Sequence, residues 1–119
     1  MHELGIMTSV MDAVVPAARE SGATRLLGVT LRMGVMTEAI EDALQFAFQV
    51  LTEDDPFTKD AKLTVHMVEP KSICLNCGEE FTHDRFHMFC PHCDSFALQL
   101  IEGREQEIES IEVDLPDDE

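Results

Sequence analysis

Cys74-Leu75-Asn76-Cys77 is followed, after twelve further residues, by Cys90-Pro91-His92-Cys93, and these two CxxC motifs contain all four cysteines of the chain. Two residues between cysteines let one tight turn direct both sulfurs to one point. Two such turns supply four thiolates at the corners of a tetrahedron, the arrangement that Zn²⁺ prefers. Gly78 follows the first motif, where the turn needs a residue that can take positive φ. The spacing therefore predicts a zinc site on Cys74, Cys77, Cys90 and Cys93.

Two disulfides or a redox-active CxxC would use the same cysteines. The chain starts Met-His-Glu, with no basic start and no long apolar run. We therefore expect no signal peptide and no membrane span, and we expect the cytoplasm, where thiols stay reduced. A redox motif would not explain the doubled spacing. Four sulfurs fill the coordination shell of zinc and leave no open position for water, so the expected zinc is structural.

The composition narrows the partners. With 119 residues, the chain is long enough for one domain, or for one domain and a small lobe held by a metal. Lys and Arg number 8 against 24 Asp and Glu, which gives a net charge of −16 and disfavours nucleic acid and anionic membranes as partners. Residues 102–119 hold nine acids and one arginine. We interpret this tail as a solvated edge and chain end; recruitment of a basic partner is the alternative.

The spacing of apolar residues predicts the secondary structure of the first half of the chain. A helix from Glu3 to about Ser21 carries Met7 and Met11 on its apolar stripe as core residues rather than metal ligands. Pro16 should bend or break its last turn. A strand follows from Leu26 to Met33, and then a second helix with Thr37 as its N-cap and Ile40 on its buried stripe.

The second half combines strands with the metal lobe. Apolar and polar residues alternate over Leu63–Val68, which predicts a strand, and we expect its His66 not to be a metal ligand. The run from Leu98 to Val113 is predicted to return to the same sheet as an acidic edge strand. The predicted fold is therefore α+β, a small three-stranded sheet with two helices, plus an inserted zinc-ribbon-like lobe. The lobe comprises residues 71–97, and residues 1–70 and 98–119 form a discontinuous α/β domain.

Aromatic and histidine side chains are frequent in the lobe. Four phenylalanines are expected to cover the metal with a small apolar shell: Phe81, Phe86, Phe89 and Phe96. Three histidines are available to replace a cysteine at the metal, although we interpret them as exposed loop residues: His83, His87 and His92.

The first three residues, Met1-His2-Glu3, form a second candidate site. Because His2 is large, Met1 should be retained and carry a free α-amine. That amine, the backbone amides of His2 and Glu3, and the His2 imidazole suit Ni²⁺ or Cu²⁺ in a square-planar or tetragonal arrangement. Glu3 can orient or complete the site through its carboxylate. A histidine at the second position is more often only a surface residue, so this signal is weak by itself.

The combination resembles a known family. Met1-His2-Glu3-Leu4, a helix, a strand-helix-strand unit and two CxxC motifs before a final strand are similar to the HypA/HybF family of nickel metallochaperones for hydrogenase maturation, over residues 1 to about 113. The resemblance implies nickel at the amino terminus with His2 as the essential ligand and Glu3 beside it, and zinc on the four cysteines. It also implies a GTPase partner, HypB, and delivery of nickel to the [NiFe] hydrogenase large-subunit precursor.

The resemblance has further implications and one departure. Some members of the family also supply urease, so a urease accessory protein is a further candidate partner, and we expect a monomer or weak homodimer. In some members a histidine flanks each CxxC and exchanges onto the zinc. Gly78-Glu79 and Asp94 occupy those positions here, which argues against a swap of that form.

Two other classes of function compete with nickel delivery. A zinc-ribbon adaptor that binds only protein explains the cysteines and the acidity but leaves Met1-His2-Glu3 unused. An enzyme is disfavoured, because the sequence shows no paired nucleophile and base, no phosphate loop and no open metal site.

Overall fold

The computed structural model describes residues 2–116, which form two helices and two three-stranded sheets. In chain order the elements are α1 (Glu3–Glu20), β1 (Arg25–Gly34), α2 (Glu41–Thr52), β2 (Lys62–Val68), β3 (Lys71–Cys74), β4 (Glu80–Thr82), β5 (Leu98–Glu102) and β6 (Gln106–Asp114). One turn of 3₁₀ helix, Val35–Thr37, lies between β1 and α2. The predicted α+β class is confirmed. Within the described part of the chain, no helix is long and apolar enough to span a membrane.

The first sheet has the order β2-β1-β6. The chain crosses from β1 to β2 through α2, so these two strands are parallel, whereas β6 pairs with β1 in the antiparallel direction. Alternate side chains of β1 (Val29, Leu31 and Met33) are buried in a core shared with both helices. The sheet therefore presents one apolar face to the helices and one polar face.

The stripe predicted for α1 is confirmed. Met7 and Met11 are buried in the core, as predicted for packing residues. The helix continues beyond Pro16 to Glu20, so of the predicted bend or break the break is wrong and the bend stays a prediction. The Pro16 ring lies on the exposed side of α1 and costs one backbone hydrogen bond, which the buried stripe offsets. Gly22, with φ +85°, follows the end of the helix.

The start of α2 differs from the prediction. Thr37 does not cap α2; it closes the 3₁₀ turn by donating its hydroxyl to the Gly34 carbonyl at 2.7 Å. Glu38 then takes a left-handed conformation with φ +65°, and α2 begins only at Glu41. Ile40, placed on the buried stripe by the periodicity, is the N-cap and remains 63% exposed. The loop before α2 therefore lies on the surface.

The second sheet has the order β4-β3-β5 and contains the cysteine lobe. β5 pairs with β3, so Leu98–Glu102 does not join the first sheet as expected. The apolar run that was interpreted as one strand is divided at Gly103, whose φ is +121°, and only β6 returns to β1. The division of the chain into two folding units remains a prediction. The strand pairing places the point where the chain returns from the lobe to the first sheet at residue 103.

The two sheets meet where Gly34 and Gly103 cross. A Cβ on Gly34 would lie 2.0 Å from the Gly103 carbonyl oxygen, so only glycine fits. The Met36 N–H donates to that same carbonyl at 2.8 Å, and a Cβ on Gly103 would lie 2.9 Å from Pro70 Cα. The chain thus enters the lobe at Pro70 and leaves it at Gly103, side by side.

We expect Gly34→Ala to destabilise the protein by about 3 kcal/mol, because the new methyl group meets rigid backbone instead of a side chain that can move. Urea denaturation followed by circular dichroism measures the change. Gly28→Ala is the matched control, since its Cβ would meet neighbours at an ordinary 3.6 Å. Equal unfolding midpoints for the two variants would contradict this account of the crossing.

Candidate metal centres

The structure brings the sulfurs of Cys74, Cys77, Cys90 and Cys93 within 4.8 Å of one another. The Cys74–Cys93 and Cys77–Cys90 Sγ distances are both 3.6 Å, too long for a disulfide bond. A tetrahedron with metal–sulfur bonds of about 2.3 Å has edges of about 3.8 Å. The four side chains therefore fit a tetrahedral metal ion such as Zn²⁺.

Both CxxC turns have the same backbone geometry. In the first, the Gly78 N–H donates to the Cys74 carbonyl at 2.8 Å, with φ +80° at Gly78. In the second, the Asp94 N–H donates to the Cys90 carbonyl at 2.8 Å, with φ +63° at Asp94. Aspartate is among the few residues other than glycine that tolerate this conformation. The repeated turn directs each sulfur pair towards the other.

A metal needs the thiolate form of cysteine, and the surroundings favour it at one sulfur and oppose it at another. Burial and contacts with the other three thiols raise the pKa of Cys77 to about 12. The Asn76 side-chain amide lies 3.5 Å from the Cys93 sulfur, and this contact, together with a Ser95 backbone N–H, lowers the pKa of Cys93 to about 6. The His92 backbone N–H lies 3.4 Å from the Cys90 sulfur. Asn76 was not predicted as a site residue, although its place inside a CxxC motif was the available signal.

The lobe histidines lie outside the cysteine cluster. His83 contacts the Ser72 hydroxyl at 2.7 Å, and the His87 Nδ1 contacts the Asp84 carboxylate at 2.8 Å. Among residues 2–116, the four cysteines are the one group of three or more histidine, cysteine or acidic side chains close enough to share an ion.

The predicted phenylalanine shell is wrong. Phe86 and Phe96 are 76% and 79% exposed, and Phe89 packs mainly edge-on against Phe96 with ring centroids 6.2 Å apart. β3 and β4 contain four and three residues, so the lobe has too little chain for a second layer over these rings.

Two of the candidate nickel residues, His2 and Glu3, lie at the start of α1, and neither belongs to the cysteine cluster. Met1 lies outside the described residues. His2 is exposed and precedes the helix, and its carbonyl accepts the first helical hydrogen bond, from the Ile6 N–H at 3.0 Å. The N–H groups of residues 3–5 have no carbonyl partner within the helix, as at any helix start. A metal that takes these amide nitrogens therefore breaks no helical bond.

Glu3 connects α1 to the loop before α2. Its carboxylate accepts a hydrogen bond from the Ile40 N–H at 3.0 Å. This contact, followed by one from the Glu3 N–H itself, holds the pKa of Glu3 below its ordinary value. In a capping box, a glutamate of the same helix accepts a hydrogen bond from the N-cap N–H. Here Glu3, 37 residues away in the sequence, accepts that bond from Ile40, the N-cap of α2. No side-chain signal at Ile40 announces this, because the donor is its backbone.

The family model described as "Hydrogenase/urease nickel incorporation, metallochaperone, hypA" matches residues 1–113. The chain belongs to the HypA family. It is 33% identical to the hydrogenase maturation factor HypA of Chlorobaculum parvum, over 96% of this chain and 100% of that protein. It is 34% identical to the factor of the same name from Methanococcus maripaludis, over the full length of both chains.

Solved HypA structures share the fold. The solution structure of the Ni metallochaperone HypA from Helicobacter pylori matches with a TM-score of 0.66 at 21% identity, over 98% of this chain and 100% of that chain. A second HypA solution structure matches with a TM-score of 0.68 at 22% identity, over 95% and 96% of the two chains. The resemblance inferred from the sequence is confirmed at the level of the family and the fold.

We expect Glu3→Ala to accelerate hydrogen exchange of the Ile40 amide, and Glu3→Gln to retain part of its protection, because the amide oxygen of glutamine still accepts. Nuclear magnetic resonance measures this amide directly. The pKa of Glu3 is lowered in the folded protein, so the contact is complete above its ordinary pKa and is lost only as the pH falls through the lowered value. Equal exchange of Ile40 in the wild type and Glu3→Ala would exclude this contact in solution.

Proposed function

We propose that this HypA-family chain binds Ni²⁺ at Met1, His2 and Glu3 and assists its insertion into a [NiFe] hydrogenase large subunit by ligand exchange. The family description and the names of the relatives support the class of function. The structural relative from Helicobacter pylori is a Ni metallochaperone, which supports the choice of metal. The proposal adds the residues and the mechanism for this chain.

The observation that carries the proposal is the position of His2. Its imidazole is exposed at the first turn of α1, beside backbone nitrogens that the helix does not use. Imidazole and deprotonated amide nitrogens favour Ni²⁺ in a planar arrangement. All these donors can be approached from solvent, so a partner can attack the metal without the protein unfolding.

The contact between Glu3 and Ile40 refines the role of Glu3. The carboxylate is held by a backbone N–H, so we assign Glu3 to the site through its amide nitrogen and assign its side chain to positioning. The positive end of the α1 dipole opposes a bound cation by about 0.3–1 kcal/mol. That opposition keeps the hold on nickel moderate, as release to a partner requires.

The cysteine cluster is assigned to structural Zn²⁺. Four sulfurs at tetrahedral spacing leave no coordination position for nickel exchange or for a catalytic water. The same closed shell is why we assign the chain a delivery function rather than a catalytic one. Cys74 and Cys90 are fully buried, which shields two of the four ligands from exchange.

The partners follow from the delivery function. We propose HypB, a GTPase, and the hydrogenase large-subunit precursor as partners, and a urease accessory protein as a second destination. The net charge of −16 disfavours nucleic acid and anionic lipid as partners.

A zinc-ribbon adaptor is the alternative function. The exposed rings of Phe86 and Phe96 favour it, because exposed aromatic side chains are typical of protein contact surfaces. An adaptor needs no nickel, so nickel titration separates the two functions.

We expect His2→Ala to weaken Ni²⁺ binding at least a hundredfold, because the imidazole is the one side-chain nitrogen in the proposed ligand set. Isothermal titration calorimetry of untagged protein measures the affinity. Circular dichroism and zinc content should not change, because His2 is exposed and makes no core contact.

The matched control is His66→Ala, which removes an exposed histidine on β2 whose Nδ1 lies 3.5 Å from the Glu109 carboxylate. Its nickel affinity should equal that of the wild type. Wild-type affinity in His2→Ala would contradict the proposed site, and absence of nickel binding by the wild type would favour the adaptor.

A further inference from the structure

β6 is an edge strand with an unpaired side. It pairs with β1, and no other strand within residues 2–116 pairs with it. The Gly34 N–H donates to the Glu105 carbonyl at 2.8 Å, so the backbone of Glu105 faces β1. Because backbone groups alternate along a strand, those of Gln106 and Ile108 point outward. An unpaired edge of this kind accepts a further strand.

An apolar groove of about 520 Å³ runs beside this edge, between α1 and β6. Leu31 and Met33 line it from β1, and Ile6 and Val10 line it from α1. Ile108 of β6 projects into it and remains 40% exposed. The small residues Gly5 and Ser9 keep the α1 wall low, so side chains from a strand beside β6 can enter.

The charge of β6 selects the kind of strand that fits. The strand contains no basic residue and four acids, Glu107, Glu109, Glu112 and Asp114. Arg25 lies 2.9 Å from Asp114, Arg32 lies 3.8 Å from Glu107, and the His66 imidazole lies 3.5 Å from Glu109. Two arginines against four acids leave an acidic excess. A second copy of β6 would set carboxylates opposite carboxylates, which is destabilising. Basic side chains in that place gain opposite-charge pairs.

We propose that β6 docks an extended segment of a partner protein in which apolar and basic residues alternate, added as a fourth strand. Its apolar side chains fill the groove, and its basic side chains lie beside the acids on the polar face of the sheet. His2 lines one end of the same groove, so docking brings the partner's chain to the proposed nickel site. The purpose of docking, transfer of nickel to the partner, rests on the proposed function. The location of docking rests on the groove and the unpaired edge of β6.

The probe is the nine-residue peptide acetyl-Lys-Val-Lys-Val-Lys-Trp-Lys-Val-Lys-amide, which matches β6 in length. The chain contains no tryptophan and no tyrosine, so the indole reports binding without background. Titration into nickel-free protein should shift the emission to the blue as the indole enters the groove. A peptide of the same composition with its five lysines first and its apolar residues last keeps the charge and removes the alternation.

Two variants test the edge and the groove separately. Ile108→Lys places a charge in the groove, and Gln106→Pro removes an outward N–H at the first residue of the strand, where proline is tolerated. Ile101→Lys is the matched control, because Ile101 is 48% exposed and lies on β5 in the other sheet. Circular dichroism and metal content of the cysteine cluster verify that each variant folds.

We expect Ile108→Lys and Gln106→Pro each to weaken binding of the alternating peptide at least tenfold, Ile101→Lys to stay within twofold, and the segregated peptide to bind at least tenfold more weakly. Equal binding of the two peptides, or wild-type affinity in Ile108→Lys, would overturn the inference. Self-association in sedimentation that Ile108→Lys abolishes, without peptide binding, would assign the groove to a second copy and also overturn it. None of these outcomes predicts a change in nickel affinity, so nickel titration tests the proposed function independently of the docking inference.

Discussion

Four thiol side chains within 4.8 Å of one another are the constraint on which the lobe depends. As thiolates they repel unless a cation lies between them, and a metal ion at their centre replaces that repulsion with four bonds. The lobe has little else to hold it, since its strands are three to five residues long and the rings of Phe86 and Phe96 face solvent. A metal ion held there would substitute for an apolar core, so we expect folding of the lobe to be coupled to metal binding.

The helical unit, which comprises α1, α2 and the first sheet, is held together differently. Its core is built from aliphatic and methionine side chains packed between the first sheet and two helices, and it needs no ion. The loop before α2 receives a contact from each side. Glu3 holds the Ile40 N–H at 3.0 Å, and Arg85 of the lobe lies 3.8 Å from Glu38. The start of α1 and the lobe thus contact one short loop.

Periodicity and spacing were sufficient for the main elements and for the cysteine cluster, because both are local patterns. They failed where distant backbone decides the outcome. The crossing of Gly34 with Gly103 divides an apolar run into β5 and β6, and the clash that enforces it lies between residues far apart in sequence. The Glu3 contact was missed in the same way, since its donor is a backbone N–H. The predicted burial of the lobe phenylalanines was wrong because a sequence pattern does not show how much chain is present to cover them.

The central claim is that two ions occupy chemically separate sites, one with sulfur ligands and one with nitrogen ligands. X-ray absorption at the nickel and zinc edges, on protein carrying one equivalent of each metal, tests it most directly. The account predicts nitrogen and oxygen neighbours alone around nickel, and four sulfurs at about 2.3 Å around zinc. Sulfur in the coordination shell of nickel would contradict it.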